Sequence, residues 1–184
     1  MKNSLLWNVP NSLTLYRIGT VPILVILLLY DKKWCSLFAA ILFAIASITD
    51  MLDGIIARRR QLVSTLGQFL DPLADKLLVS AALIMMIPLK RLPAWMVVVI
   101  IGRELAVTGL RGICSAEGVI VQASTLGKYK VGYQIAAIIP LLFHYPYFGI
   151  NLHAIGKFFL WIAVIITIWS GIDYLRKFYS VIEK

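Results

Sequence analysis

Cysteine, histidine and charge are all scarce in this chain. Its 184 residues include two cysteines and two histidines, and only 15% are charged. Cys35 and Cys114 stand far apart in apolar surroundings, so neither a disulfide nor a thiolate metal site is indicated, and both read as inert core thiols. No internal repeat, low-complexity segment or soluble appendage interrupts the chain. The first apolar run lacks a small-x-small cleavage site, so no cleavable signal peptide is expected. The shortage of polar sequence decides the class. The chain is 60% hydrophobic with mean hydropathy +0.86, more apolar than a soluble domain of this size requires, and it reads as a single-domain integral membrane protein over 1–184.

Charge of one sign dominates what polarity there is, with a net charge of +9. This matches the excess of lysine and arginine on the cytosolic side of membrane proteins, and it would also attract anionic lipid and phosphate substrates. Nucleic-acid binding is not expected, because the basic residues flank apolar runs and form no soluble patch.

Six apolar spans are expected, at about Leu13–Tyr30, Trp34–Ala57, Phe69–Ile87, Ala94–Ala116, Ser124–Phe143 and His153–Leu175. An interfacial segment, Met1–Pro10, precedes them with Trp7 as its anchor. Asp31–Lys33 and Pro88–Pro93 make tight turns, and His144–Tyr147 makes an aromatic loop. Pro72 is placed near the first turn of the third span, where a missing N–H is harmless. Asn11, Thr14 and Arg17 open the first span at i, i+3 and i+6; alternatively Asn11 caps the helix and Arg17 snorkels.

An even number of spans puts both termini on one side. That side would hold Lys2, Arg17, Arg58–Arg60, Arg103, Arg111, Lys128, Lys130, Arg176 and Lys177. Lys32, Lys33, Lys90, Arg91 and Lys157 fall on the other. The excess assigns the first side to the cytosol. His144 and His153 fall on the far side, as loop residues and not catalytic ones.

The acids are concentrated on the cytosolic side. Asp50, Asp53, Asp71 and Asp75 all lie within DMLDGIIARRRQLVSTLGQFLDPLADK. At about 3.6 residues per helical turn, Asp50, Asp53, Gly54, Ala57 and Arg58 share one face, and Gly67, Asp71 and Asp75 share another. The loop between them, expected over Arg59–Thr65, allows only an antiparallel turn, so the two acidic faces can meet. Carboxylates within a membrane segment are expensive and mark a functional site. Four together repel unless cations neutralise them. One or two divalent ions would do so, and an all-oxygen ligand set without His or Cys favours magnesium or manganese over zinc. The plain alternative is two transmembrane helices with polar ends at an interface, but such ends need not share two helical faces.

The pattern D-x2-D-G-x2-A-R-x8-G-x3-D-x3-D, from Asp50 through Asp75, matches the motif of the CDP-alcohol phosphotransferase family at every specified position, and the chain resembles that family. The resemblance implies an all-α, polytopic six-helix fold that is commonly homodimeric and uses two divalent cations, Mg2+ or Mn2+. It implies that Asp50, Asp53 and Asp71 ligate one ion and that Asp50, Asp71 and Asp75 ligate the other, with Asp75 also the proton acceptor. Gly54 and Arg58 would contact the CDP portion. Gly54 admits a phosphate or nucleotide close to the helix, Ala57 keeps that face shallow, Arg58 forks onto phosphate oxygens, and Gly67 lets the next helix approach. Ser64 is a weaker loop candidate, and Asn11, Thr14 and Arg17 complete the candidate CDP-lipid set.

Three further stretches, NVPNSLTLYR (Asn8–Arg17), GRELAVTGLRGICSAEG (Gly102–Gly118) and STLGKYK (Ser124–Lys130), are similar to the branch of the family that takes CDP-diacylglycerol as donor and sn-glycerol 3-phosphate as acceptor. That implies transfer of a phosphatidyl group with release of CMP, at the cytosolic face of a bacterial cytoplasmic membrane. Arg103, Arg111, Lys128 and Lys130 would hold the acceptor phosphate, with Glu104 orienting Arg103. An interfacial Arg103–Glu104 pair that only neutralises charge is the plainer reading of those two residues. Inositol phosphate, serine or phosphatidylglycerol would fit the same acid motif. A cation transporter would need polar residues through the full bilayer, whereas the outer halves of these spans are apolar.

Overall fold

The computed structural model describes residues 9–60, 65–116, 125–146 and 149–182; within its helices the side chains of 9–15, 50–60, 65–73, 75, 115–116, 125–128, 177 and 180–182 are outside that description. The described residues form six helices and no β-strand: α1 (Val9–Leu29), α2 (Lys33–Arg60), α3 (Thr65–Met86), α4 (Ala94–Ala116), α5 (Thr125–Phe143) and α6 (Leu152–Ile182). The all-helical expectation holds, and α4 has the expected limits. The segment expected to lie at the interface, Met1–Pro10, falls outside the described residues except for its last two, which already belong to α1.

Several helices are longer than the apolar runs that announced them. α2 continues through Arg60 and α3 begins at Thr65, so Arg59, Arg60 and Thr65 are helical and not loop residues. α6 runs to Ile182, well past Leu175. The physical reason is simple. Loss of apolar character ends a span, but the backbone hydrogen-bond ladder continues through any residues that tolerate helix. The early start of α3 also moves Pro72 from a first-turn position to two turns inside the helix. α1 starts at Val9, before Asn11, so Asn11 lies in its first turn and does not cap it.

The turns are built from local hydrogen bonds. Between α1 and α2, Lys32 N–H donates to Tyr30 O at 2.8 Å and Ser36 N–H to Lys32 O at 3.0 Å. After α3, Lys90 takes a left-handed conformation with φ 56°, and Arg91 N–H returns to Met86 O at 3.1 Å. Asn151 caps α6, its Oδ1 accepting from Ala154 N–H at 3.1 Å.

The chain divides into two compact units, Met1–Arg91 with Leu142–Tyr145, and Leu92–Leu141 with Pro146–Lys184. In the first, α1 packs on both α2 and α3. Leu24 and Leu28 of α1 are buried, as are Ala39, Ala40, Phe43 and Ala46 of α2 and Leu78, Ala82 and Met86 of α3. The alanines allow close helix approach.

One buried cation pins this unit. Arg91 is wholly buried. Its Nη1 donates to Leu142 O at 2.8 Å, and its Nη2 donates to Ser36 Oγ at 2.6 Å and to Asp31 Oδ1 at 3.0 Å. Tyr145 O–H reaches the same Asp31 oxygen at 3.3 Å. A residue expected to be one more loop charge thus joins three turns.

In the second unit α4 packs on α6, with Trp95 and Trp161 in tilted contact at 5.5 Å. α5 meets α6 through Tyr133 and Phe159. A Cβ at Gly156 would lie 2.7 Å from Leu141 Cγ and 2.9 Å from Leu141 N, so this close approach of α6 to the end of α5 requires glycine. Cys35 and Cys114 are both free, as expected.

Among the described residues, one stretch, Leu152–Arg176, is long and apolar enough to cross a membrane, with mean hydropathy 1.9. Shorter apolar stretches occupy Tyr16–Leu29, Lys33–Thr49, Lys76–Met86 and Tyr129–Phe143. Large apolar side chains nevertheless face outward on most helices, among them Ile26, Trp34, Phe38, Ile84, Val98 and Trp169.

Candidate active site

In the first unit, the placement of the candidate residues is a property of backbone register. Asp50, Asp53, Gly54, Ala57 and Arg58 all lie within the unbroken helix α2. Gly67, Asp71 and Asp75 all lie within α3. Unbroken helix is what the one-face spacing of each group requires. The side chains themselves, with Ser64 and those of Asn11 and Thr14, lie outside the described residues. Arg17 is described, and it is buried at 3% exposure, which removes the reading in which it snorkels to water.

The donor types here fit a hard divalent cation: four carboxylates on two helices, with no His or Cys among them, are the oxygen donors that magnesium and manganese prefer. Among the described residues no three metal-ligating side chains cluster.

In the second unit, the candidate cations are visible in side-chain detail. Arg103, Glu104 and Arg111 come from α4 and Lys130 from α5. Arg103 Nη1 donates to Glu104 Oε1 at 3.2 Å. Lys130 Nζ forms an ion pair with the same oxygen. Glu104 therefore touches both Arg103 and Lys130, and the second of these partners was not anticipated. Thr108 Oγ1 donates to Glu104 O at 2.7 Å, keeping the polar side of α4 in one strip. Three cations against one carboxylate leave a net charge of +2 on Arg103, Arg111, Lys130 and Glu104, the complement of a phosphate dianion. The side chain of Lys128 lies outside the described residues.

α6 contributes what sequence reasoning missed. The Arg111 guanidinium carbon lies 6.0 Å from the ring centroid of Tyr174, a cation–π distance. Gly171, one turn earlier, lies under the stem of Arg103, whose Cγ is 3.3 Å from where a Cβ would be. Thr167, Ser170 and Tyr174 are all buried. Their spacing of i, i+3 and i+7 in a largely apolar stretch was the available signal. Beside Arg103, α4 and α6 also enclose an apolar groove of about 280 Å³, lined by Val99, Ala106, Leu110, Ile168 and Ile172.

The family model for CDP-alcohol phosphatidyltransferase matches residues 7–169. The chain belongs to this family. Relatives are similar over nearly its whole length. A Bacillus subtilis protein named CDP-diacylglycerol–glycerol-3-phosphate 3-phosphatidyltransferase is 46% identical over 94% of this chain and 95% of its own. A Rickettsia bellii protein of the same name is 37% identical over 92% and 94%. An Arabidopsis thaliana protein, the form numbered 2 under that name, is 37% identical over 95% and 81%.

Proposed function

We propose that this chain transfers the phosphatidyl group of CDP-diacylglycerol to sn-glycerol 3-phosphate, giving phosphatidylglycerophosphate and CMP. The observation that carries the reading is the full acid motif on continuous helices, in a chain whose relatives bear the name of that reaction. The α4–α5 cation group, with its net positive charge, supports a phosphorylated acceptor over serine or a lipid.

In this reading Asp75 takes the proton from the primary hydroxyl of glycerol 3-phosphate. The freed oxygen forms a bond to the lipid-linked phosphorus, and the bond from that phosphorus to the CMP oxygen breaks. Two divalent cations, held by Asp50, Asp53 and Asp71 and by Asp50, Asp71 and Asp75, would neutralise the diphosphate and the departing CMP. Gly54, Ala57 and Arg58 receive the CDP portion, with Gly67, Ser64, Asn11, Thr14 and Arg17 completing its surroundings. Arg103, Arg111, Lys128 and Lys130 bind the acceptor phosphate, and Glu104 sets Arg103.

The chain acts as one domain of six transmembrane helices in a bacterial cytoplasmic membrane, as a homodimer with site and termini toward the cytosol. Outward-facing Trp34, Phe38, Val98 and Trp169 support a lipid surround. The acyl chains then remain in the bilayer and reach the site laterally.

The test is CMP release by purified protein given CDP-diacylglycerol, magnesium or manganese, and one acceptor at a time: glycerol 3-phosphate, inositol 1-phosphate, serine or phosphatidylglycerol. Release with glycerol 3-phosphate alone is expected. Asp75→Asn should lower turnover by about 10²- to 10⁴-fold while retaining CDP-lipid binding. Release with a different acceptor would keep the acid site and overturn the assignment of the cations.

A further inference from the structure

In the second unit, four buried side-chain polar atoms have no hydrogen-bond partner among the described residues: Arg103 Nε, Gln134 Nε2, Thr167 Oγ1 and Tyr174 Oη. Each such atom costs free energy unless something pairs with it. Three of the four come from α4 and α6, which pack on one another. Tyr174 is the most informative, because its ring lies against Arg111 while its hydroxyl is unmatched and the residue is 3% exposed.

We propose that Tyr174 is a substrate-contacting residue, whose hydroxyl donates a hydrogen bond to the phosphate of the phosphomonoester acceptor while its ring fixes the Arg111 guanidinium. The inference rests on the functional reading above and adds a residue to its acceptor subsite. A phenol O–H directed at a phosphate oxygen makes a charge-assisted hydrogen bond. A guanidinium lying over a ring loses rotamer freedom before the ligand arrives, so less entropy is lost on binding. A tyrosine here does both. Gly171 allows the stem of Arg103 to lie against α6 one turn away, which keeps both α4 arginines beside the α6 strip. Nothing in a purely structural role explains the phenol, since phenylalanine would fill the same volume without a buried unpaired hydroxyl.

The test is Tyr174→Phe in the full-length protein, with three readouts. The KM for glycerol 3-phosphate should rise about ten- to a hundredfold, the loss expected for one hydrogen bond to a charged group. The KM for CDP-diacylglycerol should stay the same. The Tm in detergent without ligand should stay the same or rise, because the hydroxyl has no partner to lose. An unchanged acceptor KM overturns the proposal. So does a raised KM accompanied by a lower Tm, which would assign the hydroxyl to the fold. Calorimetric titration of wild type and variant with inorganic phosphate separates this inference from the reading beneath it. If the wild type releases no CMP with glycerol 3-phosphate, weaker phosphate binding by Tyr174→Phe still upholds Tyr174 as an anion ligand. Equal binding, or no binding by the wild type, overturns it.

Discussion

Lys130 lies buried on α5 with its ammonium against the Glu104 carboxylate of α4; the two side chains are 3% and 19% exposed. The same carboxylate oxygen accepts from Arg103. Glu104 is thus the counter-charge that makes two neighbouring cations tolerable where water is scarce. It holds them without cancelling the positive charge of the group.

Glu104→Gln should therefore destabilise the protein by about 3 kcal/mol, the scale for removing one partner of a largely buried ion pair. The check is a double-mutant cycle followed by thermal unfolding in detergent. Glu104→Gln combined with Lys130→Met should recover most of the loss, because the second change removes the stranded ammonium. Additive losses would mean that the pair is not coupled.

Arg91 and Asp31 should respond unequally. Arg91→Met leaves Leu142 O and Ser36 Oγ without their donor in a wholly buried position, at a cost of about 3 kcal/mol. Asp31 is 58% exposed, so Asp31→Asn should cost about 1 kcal/mol or less. Comparable Tm losses from the two variants would show that the ion pair, not the hydrogen bonds, supplies the stability.

Arg111→Ala should raise the KM for glycerol 3-phosphate by about ten- to a hundredfold and leave that for CDP-diacylglycerol unchanged. Arg111→Lys should recover only part of the loss, because an ammonium does not fork onto phosphate and makes a weaker contact with the Tyr174 ring. Steady-state kinetics with each substrate varied in turn decides this. An unchanged acceptor KM in Arg111→Ala removes Arg111 from the phosphate subsite.

Chelation should abolish CMP release. Magnesium or manganese should restore it, and calcium should do so poorly, since Ca²⁺ prefers more ligands at longer distances. Activity that survives exhaustive chelation would remove the metal role from Asp50, Asp53, Asp71 and Asp75.

The limits of α4, Ala94–Ala116, were legible because a turn rich in proline precedes it and its polar half still keeps one face. The ends of α2 and α6 were not, because the eye follows apolar character while the helix follows its hydrogen bonds. The acid motif could be read from spacing alone. The pairing of Glu104 with Lys130 could not, since it joins two helices whose relative rotation no local pattern encodes. Tyr174 was hidden by its chemistry: in an apolar helix, tyrosine passes for one more aromatic. Arg91 was hidden by position, because a cation in a turn between prolines is ordinarily a solvated one.

The cluster around Arg91 also sets an order of assembly. Asp31 and Ser36 leave the ribosome before Arg91, but the carbonyl of Leu142 follows it by 51 residues. Leu142–Tyr145 belongs to the same compact unit as α1–α3, although α4 and most of α5 are made in between. The first three helices can pair as soon as they are synthesised, yet Arg91 stays short of an acceptor until α5 is complete. A nascent chain halted before Leu142 therefore holds an unfinished unit, and the residues that complete it arrive with the penultimate helix.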